Sequence, residues 1–280
     1  MDLAERIRNL YDQAGDADRE EAREAFAALR TELSTGRVRA AEPDPTAPTG
    51  WRVNAWVKQG ILVGFRCGDV VPFASPDAAS PYLDKDTLPL RPLSSASRVR
   101  LVPGGSSVRD GAYLGSGVIC MPPMYINIGA WVGDGSLIDS HALVGSCAQV
   151  GSVVHVSAGA QIGGVLEPVG ALPVIVEDDA LVGGNTGLYE GAVVKRRAVI
   201  GAGTVLTGST PIYDLPEGRI IRPAAGEPTV VPEGAVVVPG ARAVTAGAGP
   251  EWGLSLATPV IVKYRDERTD TRTELEAWIR

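Results

Sequence analysis

From Val102 onward an aliphatic side chain returns at every sixth residue: Val102, Val108, Leu114, Cys120, Ile126, Val132, Ile138, Val144, Val150, Val156 and Ile162. After a two-residue insertion the series resumes at Val176, Val182, Leu188, Val194, Ile200, Leu206 and Ile212, and only Cys120 in it is not Val, Ile or Leu. Two positions before each of these the side chain is usually small, as at Ala112, Ala130, Ala142, Ala148, Ala160, Ala180, Ala192 and Ala198. One position after, Gly is frequent, as at Gly115, Gly133, Gly145, Gly151, Gly163, Gly183 and Gly201. A period of six matches neither a helix nor a single strand. It matches a triangular prism of stacked parallel strands, a parallel β-helix in which each face takes one hexapeptide. The aliphatic residue fills the axis, the small one fits near the corner, and glycine tolerates the backbone angles of the turn. Three hexapeptides close a coil, so the series makes about six coils, and at roughly 4.8 Å per stacked strand the prism is about 29 Å long.

The flanks read differently. Residues 1–100 predict a helical or mixed N-terminal domain: Leu3, Ile7 and Leu10, then Ala22, Phe26, Leu29 and Leu33, recur at helical spacing, broken near Gly15 and stopped at Gly36. A Pro-rich linker over 40–50 leads to WRVNAWVKQGILVGFR at 51–66, which reads as extended, β-prone sequence. The prism is assigned to 101–248, with a loop projecting from it at 164–175 (GVLEPVGALPVI), and interruptions of a solenoid are where sites are commonly built. The remainder, 249–280, predicts a strand within LSLATPVIVKYR and a short helix in TELEAWIR.

Composition limits function. The formal net charge of −7 supplies no positive field to draw the chain to nucleic acid or an anionic membrane, and no stretch reaches spanning length. Cys67, Cys120 and Cys147 are odd in number and lack a CxxC pair, which predicts reduced thiols in a cytoplasmic protein and no structural zinc site. A zinc-dependent lyase built on this kind of prism uses three distinct histidines, whereas this chain has His141 and His155 alone; no metal is expected.

Motifs that the repeat rule does not require say more. VGSCAQ (144–149), VHVS (154–157), IGGVLEP (162–168), VIVEDD (174–179) and GSTPIYD (208–214) resemble the tetrahydrodipicolinate N-succinyltransferases nearly block for block, and the likeness extends more weakly over 51–280. The resemblance implies a left-handed winding of the prism and a homotrimer with its sites between neighbouring prisms. It also implies succinyl transfer from succinyl-CoA, as a co-substrate with no permanently bound cofactor, to the amine of L-2-amino-6-oxopimelate. An acetyl-CoA-dependent enzyme and a non-catalytic prism remain as alternatives.

Asp139, in LIDSH, stands in the slot after the aliphatic residue that is most often Gly. It is either a turn former or, as the resemblance implies, the acid of the active site that takes the proton from the substrate ammonium. Arg100 matches a family arginine that binds a substrate carboxylate, with Arg98 as the near alternative. The chain departs from the family at 183–191: GGNTGLYEG stands where the family reads Gly-Ala-Arg-Ser-Glu-x-x-Glu-Gly, so Asn185 replaces an arginine and Gly187 a glutamate proposed to be catalytic. Glu190 keeps the second acid, and either it or Glu167 supplies the missing carboxylate, or Asp139 works without it. His141 is a tempting base but also a plain corner residue, and His155 reads as structural or cleft-lining. Ser146, Ser157, Gly163 and Gly164 would offer hydroxyls or close N–H groups to pantetheine, and Lys195, with Arg196, Arg197, Lys263 or Arg265, would hold CoA phosphates; small-residue packing and a solvated face explain both sets too.

Overall fold

The computed structural model describes residues 1–73, 82–224 and 226–266. Its centre is a prism of three parallel sheets. Face A stacks the two-residue strands that end at Val108, Ile126, Val144, Ile162, Leu188 and Leu206; face B those ending at Leu114, Val132, Val150, Val176, Val194 and Val231; face C those ending at Leu101, Cys120, Ile138, Val156, Val182 and Ile200, continued by Val237. The aliphatic residues from Val108 to Leu206 are all at most 5% exposed, and each stabilises by roughly 1.5–3 kcal/mol through burial shared with the coils above and below.

Three details of the expected register change. The rung partner of Cys120 is Leu101, not Val102, so the stretch from Leu101 to Val108, around Gly104–Gly105, holds one residue more than a hexapeptide. The insertion is larger than two residues: Val150 pairs with Val176, so 163–174 forms a single enlarged corner between Ile162 and Ile175. Ile212 stays buried in the prism's core but not as a rung: it begins Ile212–Asp214, a strand paired with Arg219–Ile221 and Ser255–Tyr264 in the end cap.

The glycines also have a different reason from the one expected. Gly115, Gly133, Gly145 and Gly183 do not carry left-handed backbone; an added Cβ at Gly133 would stand 2.6 Å from the backbone of Gly151, and at Gly145 2.2 Å from that of Gly164. Close stacking of corners excludes a side chain there. The left-handed slot lies two residues later, filled by Gly117, Gly135, Gly159, Gly191 and Gly203 but also by His141, Cys147, Asn185 and Arg197; Glu190, one residue before Gly191, is left-handed as well.

The N-terminal region holds α1 (Leu3–Asp12), capped by Asp2 and Glu5, and α2 (Arg19–Ser34), capped by Asp18. The segment expected to be extended splits: Trp51–Val53 pairs with Ala41–Pro43, and α3 follows over Ala55–Cys67. Its glycines make the helix possible, because a Cβ on Gly60 would meet Leu29 at 2.3 Å and one on Gly64 the Phe26 ring at 2.5 Å. The three helices share a core that includes Ile128 and Cys147 of the prism, which docks them on the corner between faces A and B. Lys58 of α3 is fully buried and donates to the carbonyl of Ala171, while Leu166 packs on the helical core. The enlarged corner therefore lies against the helices, where a projecting loop was expected. Burial lowers the Lys58 pKa and pushes the Cys147 thiol up to about 12.

The linker covers face B: Ala41 and Trp51 pack on Ile175 and Val193, and the Arg39 guanidinium lies 3.9 Å over the Trp131 ring and bonds Gln149 Oε1 at 3.0 Å. At the far end, Ala235–Ala243 and Ser255–Tyr264 form a long antiparallel hairpin on face C. The helix expected at 273–280 lies outside the described residues.

Candidate active site

Each turn of the prism rounds three corners, and the residues singled out by sequence divide among them. Asp139, His141 and Ser157 lie on the corner between faces C and A, stacked through Gly159 N–H to Ser140 O at 2.9 Å and Asn185 N–H to Ala158 O at 3.0 Å. Ser146, Gly163, Gly164 and Glu190 lie on the corner between A and B, Lys195 on the corner between B and C, and Arg100 on the first strand of face C. One chain does not bring Asp139 and Glu190 together.

Asp139 is partly exposed and its backbone is not left-handed; that position in its turn belongs to His141, at φ 63°. Asp139 opens the turn 139–142, in which Ala142 N–H bonds the Asp139 carbonyl at 3.1 Å, and the left-handed angle of that turn falls to His141. Asp139 Oδ1 accepts from Ser140 N–H at 2.7 Å, which fixes the carboxylate at the corner. Beside it runs an open groove of about 290 Å³, lined by Ser107, Pro123, Tyr125, His141 and Leu143. Arg100 is exposed near the base of the prism.

Several other candidates have structural partners. Lys195 Nζ donates to Glu177 Oε1 at 2.8 Å and to Thr49 O at 2.6 Å, tying the linker to the prism, and Trp51 Nε1 joins the same carboxylate at 2.9 Å. Lys263 Nζ meets Asp266 at 3.1 Å near the end of the long hairpin. Gly163 N–H is bonded to Leu188 O at 2.7 Å, and Ser157 N–H to Val182 O at 2.9 Å, so these two amides hold rungs together. Glu190 is exposed, left-handed at φ 53°, and caps Gly208 N–H at 3.2 Å on the next rung. Glu167 is exposed on the enlarged corner.

Sequence reasoning passed over Tyr189. A Cβ at Gly187 would stand 2.5 Å from its ring, and one at Gly163 2.9 Å, so the ring lies outside face A on a floor of two glycines. The Tyr189 hydroxyl bonds Gln161 Oε1 at 2.8 Å, one rung away. The available signal was the loss of a side chain at Gly187, which opens the space that the ring fills.

Comparison with known proteins agrees with this architecture. Residues 2–67 match the family model described as tetrahydrodipicolinate N-succinyltransferase N-terminal, and 173–208 the hexapeptide repeat of succinyl-transferase. A 2,3,4,5-tetrahydropyridine-2,6-dicarboxylate N-succinyltransferase of Rhodopseudomonas palustris (strain BisA53) is 38% identical over 96% of this chain and 94% of its own length. The proteins of that name from Xylella fastidiosa (strain Temecula1) and Nitrobacter winogradskyi are 40% and 39% identical over 89% and 94% of this chain, and over 85% and 92% of their own lengths. With that likeness running through both the helical region and the left-handed β-helix, the chain belongs to the family of 2,3,4,5-tetrahydropyridine-2,6-dicarboxylate N-succinyltransferases.

Proposed function

We propose that this chain transfers the succinyl group of succinyl-CoA to the amine of L-2-amino-6-oxopimelate, the open form of tetrahydrodipicolinate, in the diaminopimelate route to lysine. The observation that carries the reading is identity of 36–40% to proteins of that activity along nearly the whole of both chains. Asp139 takes the proton from the substrate ammonium, because nitrogen attacks a thioester only as the free amine. The nitrogen then adds to the thioester carbonyl, the tetrahedral intermediate collapses, and CoA leaves as its thiolate. Arg100 binds a substrate carboxylate as a bidentate guanidinium partner. Ser146, Ser157 and Gly164 line the pantetheine path, and Lys195 and Lys263 meet the phosphates by exchanging their carboxylate partners Glu177 and Asp266 for them.

The working unit is a homotrimer with a site between each pair of prisms. Two observations support this reading: the candidate residues of one chain sit on different corners, and face B is covered by the linker while Gln161 and Val205 on face A are exposed. Three free thiols support a cytoplasmic setting, and among the described residues no helix is long and apolar enough to cross a membrane.

The test is turnover. Purified protein is expected to release CoA from succinyl-CoA in the presence of tetrahydrodipicolinate, and faster than from acetyl-CoA. Asp139→Asn keeps shape and hydrogen bonding but cannot take the proton, so kcat falls by roughly 10²–10⁴ with the melting temperature unchanged. Glu190→Gln and Glu167→Gln, assayed alongside, show whether either carboxylate shares the work. No turnover with either donor would leave the chain a prism without the reaction.

A further inference from the structure

The helices touch the prism through one buried charge that the reaction assigned above does not use. Lys58 of α3 is fully buried and donates to the carbonyl of Ala171, on the enlarged corner 163–174. Among the described residues no carboxylate pairs with it, and burial lowers its pKa. An ammonium has three protons to place, and a single neutral acceptor repays little of the cost of taking the charge out of water. An apolar side chain of similar length would serve stability better in such a position. The corner supplies another reason for the charge. Its first residues are fixed on the prism: Gly163 N–H bonds Leu188 O at 2.7 Å, Val165 N–H bonds Ser146 O at 3.3 Å, and a Cβ on Gly164 would stand 2.5 Å from Ser146 N. Beyond its end, Ile175 N–H bonds Ala192 O at 3.1 Å. Between these anchors, over 166–173, the bond from Lys58 is the one hydrogen bond among the described residues that ties the corner to the rest of the chain.

We propose that Lys58 is a positioning residue for the acyl donor: its ammonium holds the enlarged corner against the helices and so fixes the wall that Gly164 and Ser146 present to the pantetheine arm. The proposal rests on the reading above that runs the donor along these two residues. A carbonyl bonded to an ammonium is held more firmly than one bonded to a neutral donor, which suits a segment with no ladder of its own. Ala171 is partly exposed. Without the ammonium its carbonyl can turn to water, so the fold keeps its stability while the corner loses its aim.

The experiment compares wild type with Lys58→Met, which keeps the length of the side chain and removes its charge and its donors. Expected are rises of roughly three- to tenfold in the KM for succinyl-CoA and in the Kd of CoA measured by isothermal titration, the worth of one hydrogen bond. The kcat at saturating donor and the KM for the amine acceptor stay within twofold, and the melting temperature is no lower than that of wild type. A nitroxide on Gly170→Cys reads the corner directly, at an exposed position with nothing within 4 Å of an added Cβ and in a chain whose own three cysteines are buried. Adding Lys58→Met is expected to sharpen its spectrum. A Lys58→Met that melts well below wild type, or does not fold, makes the ammonium a stability element and overturns the proposal. So does a donor KM and CoA Kd within twofold of wild type, an equal rise in the KM of both substrates, or an unchanged nitroxide spectrum. A wild type that binds CoA but never turns over succinyl-CoA refutes the reaction assigned above, and the titration and the label still decide the role of Lys58.

Discussion

At the scale of single residues, two kinds of glycine hold this prism and they answer to different physics. Gly133 has ordinary backbone but no room: a Cβ would press on the main chain of Gly151 at 2.6 Å, and main chain in a ladder cannot step aside. Gly203 has room, with nothing within 4 Å, but a left-handed φ of 75°. Gly203→Ala is therefore expected to cost only the left-handed strain, about 1–2 kcal/mol, while Gly133→Ala spreads two coils and costs more, beyond the roughly 1–3 kcal/mol of an ordinary overpacked site. Thermal unfolding of the two variants checks the order; equal losses would refute the stacking account. The same distinction bears on Asp139. Sequence placed it in the glycine-rich slot correctly, yet assigned that slot to backbone angle, which made a turn former a fair reading. Only the coordinates show that the angle is taken up two residues later by His141. The placement of Tyr189 was illegible for a related reason, since it rests on contacts across rungs to Gly163 and Gln161 that the repeat does not encode.

Among elements, the legible ones were those whose period is fixed by their own burial. Two-residue strands repeated at a six-residue interval fall into register because each rung is the template for the next, so the prism could be read from Val108 to Leu206 with only the ends and the insertion misplaced. The helix α3 was not legible. Trp, Val and Ile at 51–63 favour strands on average, and Gly60 and Gly64 weaken a helix by about 1 kcal/mol each relative to Ala. Tertiary packing reverses that preference, since both glycines let α3 close on α2, with Gly64 under the Phe26 ring and Gly60 under Leu29. Gly64→Ala is accordingly expected to destabilise the protein by about 1–3 kcal/mol although alanine is the better helix former. Adding Phe26→Leu should return part of the loss by making space. Denaturant midpoints for the single and double variants provide the check, and a stabilised Gly64→Ala would show that propensity, not packing, governs this helix.

For the whole molecule, the decisive geometry is that a triangular prism turns its corners away from one another. Asp139 on one corner and Ser146, Gly164 and Glu190 on another cannot close around a single substrate within one chain, and the linker and Trp51 occupy the third side. A neighbouring prism can supply the missing wall, and closed threefold symmetry repeats the same contact three times with no unsatisfied face. Light scattering is therefore expected to return three times the 29.2 kDa chain mass, and activity per chain should fall on dilution as the assembly dissociates. The two measurements must agree: specific activity should track the trimer fraction, not total protein. A 29.2 kDa species that retained full activity would mean that one prism completes the site on its own. In that case the division of Asp139 and Glu190 between corners would reflect Glu190 serving only to cap Gly208 on the next rung.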